Sequence, residues 1–324
     1  MIAFVLQRLI QSIAIVIAMS IIVFVGVTVV GNPVDMLISP EVSQADRERI
    51  IRSFGLDLPI HQQYFVFALS VLRGEFGQSF VFGESAIKLI VQRMPATLEL
   101  ATTALLISII IGLPLGVRAG LKPDSIASRL TMSFSILGFS LPTFWIGIML
   151  MMLFAVVLGW LPATGRGPTV LFLGVEVSFL TWDGLRHLIL PATTLALLKV
   201  SLVIRLARAG TLEVVHQDYI RTARAKGLKN DRIVFVHVLK NIMIPIVTII
   251  GLEFGQLIAF SIVTETIFSW PGMGKLIVDS IRMLDRPIIV AYLMIIVVLI
   301  TGINFIVDII YAILDPRIRH EATK

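Results

Sequence analysis

Two charged residues, Lys199 and Glu253, sit inside runs that are otherwise apolar. A charge held in hydrocarbon costs at least ~2.5 kcal/mol on insertion scales, so each needs a partner or contact with water. Two readings stand. The residues can form a polar lining along a solute route, which is favoured for Glu253. Alternatively they pair with one another and lock a helix bundle, which is favoured for Lys199, whose stem can also snorkel. Glu265 joins Glu253 as a pathway candidate, while Asn304 and Asp308 suit helix contacts or caps. Catalytic chemistry finds no footing. His61, His187, His216, His237 and His320 lack helix-face ligand spacing beside a carboxylate, so no metal site is expected. Neither His-Glu-x-x-His nor Gly-x-Ser-x-Gly occurs. Gly272-Met-Gly-Lys275 has Ser269 and Leu276 where a phosphate loop needs Gly and a hydroxyl, so a tight Pro271-Gly272 turn accounts for it. With no cysteine, disulfide frameworks and thiolate sites are excluded.

The elements that must position these residues are membrane spans. Charged residues are 15% of the 324 and mean hydropathy is +0.95, against about 25% charged in soluble chains. The net charge of +6 does not suggest nucleic acid, because the basic residues flank apolar runs instead of forming one solvated face. Crossing ~30 Å of hydrocarbon at 1.5 Å per residue takes about 20 residues. Six segments qualify: Leu9–Val30, Leu98–Val117, Leu130 to about Leu158, Leu188–Leu206, Ile242–Thr264 and Ile288–Ile310. Pro142 predicts a kink in the third, and Trp160 anchors its exit at the interface. Arg8 precedes an uncharged run to Val34 that is too long for a cleavable signal, so it reads as a retained span. The fold expected is an all-α integral membrane protein with six transmembrane helices. Residues 1–30 hold the N-terminus and first span, and 31–97 a small extracytoplasmic cap. Residues 98–310 form the core with the loop 207–240, and 311–324 a tail. No internal repeat is visible, which argues against an inverted-repeat carrier.

Lys and Arg in the short loops set the orientation. Arg8, then Arg118, Lys122 and Arg129, then eight basic residues over Arg205–Lys240, and Arg317, Arg319 and Lys324 fall on one side, so both termini are expected in the cytoplasm. The loop Ala207–Lys240 is too ordered for a linker. Thr211–Lys226 has neither Gly nor Pro, and Asp218 can pair with Arg221. Val215, Tyr219 and Ala223 share a stripe, and Gly227 can end the helix. A second helical stretch is expected over Asp231–Asn241. The pattern reads as a helix presented to a soluble partner, with small Ala223 and Ala225 permitting close approach, or as an amphipathic helix lying on anionic lipid.

Asp218-Tyr-Ile-Arg-Thr-Ala-Arg-Ala-Lys-Gly227 resembles the EAA loop of binding-protein-dependent ABC importer permeases, in the form of the dipeptide/oligopeptide/nickel family. The resemblance continues through Phe54-Gly-Leu-Asp-Leu-Pro59, Gly74-Glu-Phe-Gly77, Arg93-x-Pro-x-Thr-Leu98 and Gly112-x-Pro-Leu-Gly116. Leu190-Pro191, Leu212-Glu213, Glu265-x-x-Phe-Ser-Trp-Pro-Gly272 and Leu314-Asp-Pro-Arg317 follow in order. Arg221 stands where the general pattern has its leading Glu. The resemblance implies a coupling helix that docks on a cytoplasmic ATPase through Glu213, Asp218, Tyr219, Arg221, Thr222, Ala223, Lys226 and Gly227. It implies a second permease subunit, two ATPases that bind ATP and Mg, and an extracytoplasmic solute-binding protein, with this chain holding no cofactor and catalysing nothing. The implied setting is a bacterial or archaeal cytoplasmic membrane and its lipid. The implied cargo is a di- or oligopeptide, with nickel, glutathione, opines or sugars taken by relatives. The outer loop at Pro271-Gly272 is implied to be a gate or a docking surface for the binding protein.

Overall fold

The structure, a computed structural model, describes residues 2–29 and 58–314. The expected amphipathic piece Asp46–Phe54, most of Phe54–Pro59, and all but the first residue of Leu314–Arg317 lie outside them, as does the tail. Among the described residues the regular structure is helical apart from one hairpin: α1 Ile2–Val29, α2 Ile60–Arg73, α3 Ala86–Leu121, α4 Ile126–Ser140, α5 Thr143–Val157, β1 Val170–Phe172, β2 Val175–Val177, α6 Trp182–Val215, α7 Asp218–Ala225, α8 Asn230–Ile267, α9 Met273–Arg282 and α10 Arg286–Leu314. Contacts divide it into two units.

In the unit comprising 93–278 with the two chain ends, α3, α6 and α8 are long and apolar enough to cross a bilayer, and α4 with α5 makes a bent pair. The bend is 106° and falls between Ser140 and Thr143, where Pro142 has no N–H to continue the helix. Its size leaves open whether the pair turns back, and packing on α6 answers that. Ser135 Oγ donates to the Ser201 carbonyl at 3.0 Å. Gly138 then lies against Ser201 and Leu197, and Gly147 against Thr194. Beyond α5, the Trp160 carbonyl accepts from Arg186 at 2.9 Å. The contacts advance in one direction along α6, from Ser201 towards Arg186, the order that the two halves of a broken span would give.

Helices α3 and α6 meet along glycines. A Cβ on Gly112 would lie 2.8 Å from Val203 Cβ, one on Gly116 2.7 Å from Ala207 Cβ, and one on Gly120 2.6 Å from Thr211 Cβ. In lipid no hydrophobic effect drives helices together, so close backbone approach through small residues supplies the packing. The sequence-level motif Gly112-x-Pro-Leu-Gly116 is two thirds of that stripe.

In the first half of α3 a buried carboxylate, Glu99, organises the connection from α5 to α6. Glu99 Oε2 accepts from Arg166 Nε at 2.9 Å and from its Nη2 at 2.5 Å, while Oε1 accepts from the Ser178 amide at 2.7 Å, its hydroxyl at 2.9 Å and the Phe179 amide at 2.9 Å. Arg166 also lies over the Trp270 ring, 5.8 Å from its centre. The hairpin β1–β2 hangs from this knot. It pairs Val170 with Val177 and Phe172 with Val175, and both turn residues, Leu173 and Gly174, have positive φ, the twist a two-residue hairpin needs. This hairpin is an addition to the all-α expectation.

The other unit holds most of α1, α2, the loop 74–85 and the first half of α10. Ser20 and Tyr64 hydroxyls meet at 2.9 Å, and Phe24 packs on Tyr64 and Phe67. Gly74 ends α2 in the left-handed region. The loop that follows is fastened to the buried Asp285, which accepts from Ser79 Oγ and the Phe80 amide. Helix α3 begins at Ala86, earlier than the expected Leu98.

Candidate functional site

The loop between α6 and α8 is shorter than its polar sequence suggests, because both spans run on into it. The single helix expected over Thr211–Lys226 is two pieces. Helix α6 continues to Val215, the chain turns at His216 and Gln217, and α7 covers Asp218–Ala225. No Gly or Pro marks the break; tertiary packing overrides local propensity. Turning there puts Ile220 at 0% exposure and Ala223 at 6%, in an apolar cluster with Val117, Val203, Ala207, Ile233, Val238 and Ile242. The inward stripe of α7 is therefore Ile220 with Ala223. Tyr219, expected on that stripe, is instead 44% exposed.

The end of α7 explains the Ala-x-x-x-Gly spacing. The Leu228 amide donates to the Ala223 carbonyl at 3.2 Å and the Gly227 amide to the Arg224 carbonyl at 2.9 Å. These are the two bonds of a Schellman cap. Gly227 has φ +75° with open space where a Cβ would be, so its requirement is conformational. Leu228 packs against the cluster containing Ala223, completing the cap's hydrophobic contact. Ala223 is thus small because it faces the protein's own core.

The opposite face of α7 is open. Asp218, Arg221, Thr222, Arg224, Lys226 and Gly227 are exposed, as is Glu213 at the end of α6. The Asp218–Arg221 pair spans 3.5 Å with side chains 96% and 71% exposed, a geometry worth under about 1 kcal/mol. Asp218 in the first turn and Arg224 in the last suit the helix dipole. What remains is a clamped helix carrying an unpaired aromatic and a charge pattern outward.

A second site lies within the spans. Lys199 Nζ donates to Glu253 Oε2 and reaches Gln256 Oε1 at 3.4 Å. The two readings of these residues converge, since the ion pair also lines a cavity of about 350 Å³. Its wall includes Arg205, Gln256, Phe139 and Thr143, the last two flanking the break between α4 and α5. Irregular backbone at membrane depth is tolerated where it lines a cavity. Arg205 stacks on Phe139, 4.8 Å from the ring centre. The sequence pattern counts Arg205 only as a loop charge; its position inside the last turn of the expected span Leu188–Leu206 is the available signal. A larger cavity in the crook of the bend, 860 Å³, carries no charged side chain.

Glu265, the other pathway candidate, is 0% exposed near the C-terminal end of α8. Its Oε1 accepts from Thr97 Oγ1 at 2.7 Å and Ser261 Oγ at 3.0 Å, and its Oε2 from the Lys275 amide at 2.9 Å. The carboxylate fills the space where a Cβ on Gly272 or Gly274 would stand, which accounts for both glycines of Gly272-Met-Gly-Lys275. Phe268 and Trp270 are buried beside it, and Trp270 Nε1 donates to the Ala96 carbonyl at 2.9 Å.

Comparison with known proteins matches these features to a family. Residues 112–320 match the binding-protein-dependent transport system inner membrane component, and residues 1–101 the N-terminal membrane component of such systems. The chain is 40% identical over 306 residues to the di/tripeptide transport system permease protein DppB of Pseudomonas aeruginosa, covering 90% of each. It is 40% identical over 322 residues to the oligopeptide transport system permease protein AppB of Bacillus subtilis, covering 99% of this chain and 100% of that one. It is 35% identical to the glutathione transport system permease protein GsiC of Salmonella paratyphi A, over 99% of this chain and 100% of that one. Among solved structures, a chain of the MetNI methionine ABC transporter in an inward-facing conformation superposes with TM-score 0.55 at 18% identity, over 70% of this chain and 96% of that one; the likeness is one of fold. The spans, the clamped loop helix and the family match agree: this chain is a multi-pass inner-membrane protein of the binding-protein-dependent transport system inner membrane component family.

Proposed function

We propose that this chain is the membrane-spanning permease subunit of an ATP-driven importer, and that its cargo is peptide. The observation that carries the reading is α7. Its inner face, Ile220 and Ala223, is fixed in the core, and its outer face presents Tyr219, Asp218 and Arg221 to solvent. In this reading α7 docks on a cytoplasmic ATPase, with Glu213, Thr222 and Lys226 at the margin and Gly227 holding the cap. Two ATPases bind the ATP and Mg; this chain catalyses nothing and holds no cofactor. A second permease completes the pathway in the surrounding lipid, and a solute-binding protein delivers cargo to the outer turn near Pro271. The charge of the loops supports six crossings with both termini in the cytoplasm. Glu253 lines the route and Glu265 shapes its outer end. Peptide cargo is supported by two relatives named for di/tripeptide and oligopeptide transport.

The test is reconstitution. The purified chain with its partner permease, ATPases and binding protein, in proteoliposomes, is expected to accumulate dialanine only when ATP is enclosed with the ATPases. Accumulation by the isolated chain without ATP would identify a stand-alone carrier and sink the reading.

A further inference from the structure

Charge in the cavity between α6 and α8 is unbalanced. Lys199 and Glu253 neutralise one another, with side chains 14% and 18% exposed. Arg205 lines the same cavity, and no acidic side chain pairs with it among the described residues; its guanidinium lies over the Phe139 ring. An ion pair plus a further cation in one low-dielectric cavity leaves a site complementary to an anion. The break between α4 and α5 adds to this. Helix α5 starts after Pro142 with no side-chain cap, so the positive end of its dipole lies uncapped beside Thr143 on the cavity wall. A peptide in water is itself an ammonium and a carboxylate on one short chain, and Lys199–Glu253 presents the complementary pair.

We propose that this cavity recognises the charged termini of a passing peptide, Arg205 taking the C-terminal carboxylate while Glu253 takes the N-terminal ammonium. The inference rests on the permease reading above and goes beyond it, by assigning the permease itself a part in selecting the cargo. Arg205 offers a planar fork that matches a carboxylate with two parallel hydrogen bonds, and Phe139 holds that fork flat. Lys199 holds Oε2 of Glu253, which leaves Oε1 to take the peptide ammonium, so no buried charge is left alone during passage. The apolar residues around them, Leu195, Leu198 and Phe260 among others, make no demand on side-chain identity. The cavity therefore reads the ends of the peptide and is tolerant of what lies between.

The experiment compares uptake of dialanine and of dialanine amide by the complete importer in ATP-loaded proteoliposomes. The binding protein is the same in every arm, so a change in the acid-to-amide ratio on mutation belongs to the permease. Arg205→Gln is expected to lower that ratio about tenfold, the worth of one charge-assisted contact, and Arg205→Lys to lower it less. Should Arg205→Gln fail to assemble, Arg205→Lys carries the test alone. In a parallel arm, Glu253→Gln is expected to erase the preference for dialanine over its N-acetyl form. An unchanged acid-to-amide ratio in a transporting Arg205 variant overturns the inference and leaves the permease reading standing. Absence of ATP-driven dialanine uptake by the unmutated importer overturns both.

Discussion

The buried carboxylates Glu99 and Glu265 and the loop helix α7 use polar residues in opposite ways. In the knot around them Glu99 takes five hydrogen bonds from Arg166, Ser178 and Phe179, and Glu265 is enclosed by Thr97, Ser261 and the Lys275 amide. Every charge there is satisfied by the chain itself. On α7 the polar groups face solvent, and the weight of the helix rests on Ile220 and Ala223. Saturated polar groups fix a shape, whereas unspent ones are available to a partner. The same residue types therefore mark structure in one region and an open surface in the other, and the partners within the chain tell them apart.

The contrast can be broken at its strongest point first. Arg166→Ala leaves Glu99, 3% exposed, without its cation. The expected cost is about 3–5 kcal/mol, that of an uncompensated buried charge, read as a lower unfolding temperature in detergent. A shift near zero would mean that the knot is not what holds the α5–α6 connection. At the boundary between the two regimes stands Gly227, with φ +75° and no neighbour to collide with. Gly227→Val is expected to cost about 1–2 kcal/mol from the left-handed backbone alone, fraying α7 and reducing ATPase association on copurification. Gly227→Asn is expected to retain most of that association, since Asn tolerates this region; equal damage from both would assign Gly227 to direct contact instead. The smallest effect on stability belongs to the open face. Arg221→Glu is expected to change stability by less than about 0.5 kcal/mol while lowering cargo-stimulated ATP hydrolysis about tenfold, the loss expected at an interface anchor. Unaltered hydrolysis in that variant would place the docking contact elsewhere on the loop.

Much of this arrangement is legible in the residues, and the gaps have physical causes. Span existence follows from run length, which is why α1, α6, α8 and α10 lie where the apolar runs are. Pro142 announces the break between α4 and α5, but its 106° bend depends on how both halves pack against α6. The split at His216 and Gln217 leaves no local trace, because the force that makes it is burial of Ile220 against residues over a hundred positions away, such as Val117. Arg166 and Glu99 are 67 positions apart, and a loop arginine reads the same whether it is solvated or knotted. The hairpin escapes because Leu173-Gly174 lacks the Asn or Asp that usually marks such a turn. Glu265 is visible only through its motif, and the reason for the two glycines after it emerges once its carboxylate is seen in their space.

The glycine stripe of α3 has a mechanical consequence. Where Gly112, Gly116 and Gly120 meet α6, the α3 backbone rests on carbonyls and on the short, stiff side chains of Val203, Ala207 and Thr211, so the seam has little to compress. Helix α6 runs unbroken from Lys199 in the cavity to Val215 beside α7, a length of about 24 Å at 1.5 Å per residue. A push delivered at the α7 end of that rod reaches the ion pair as displacement, with little slack to absorb it.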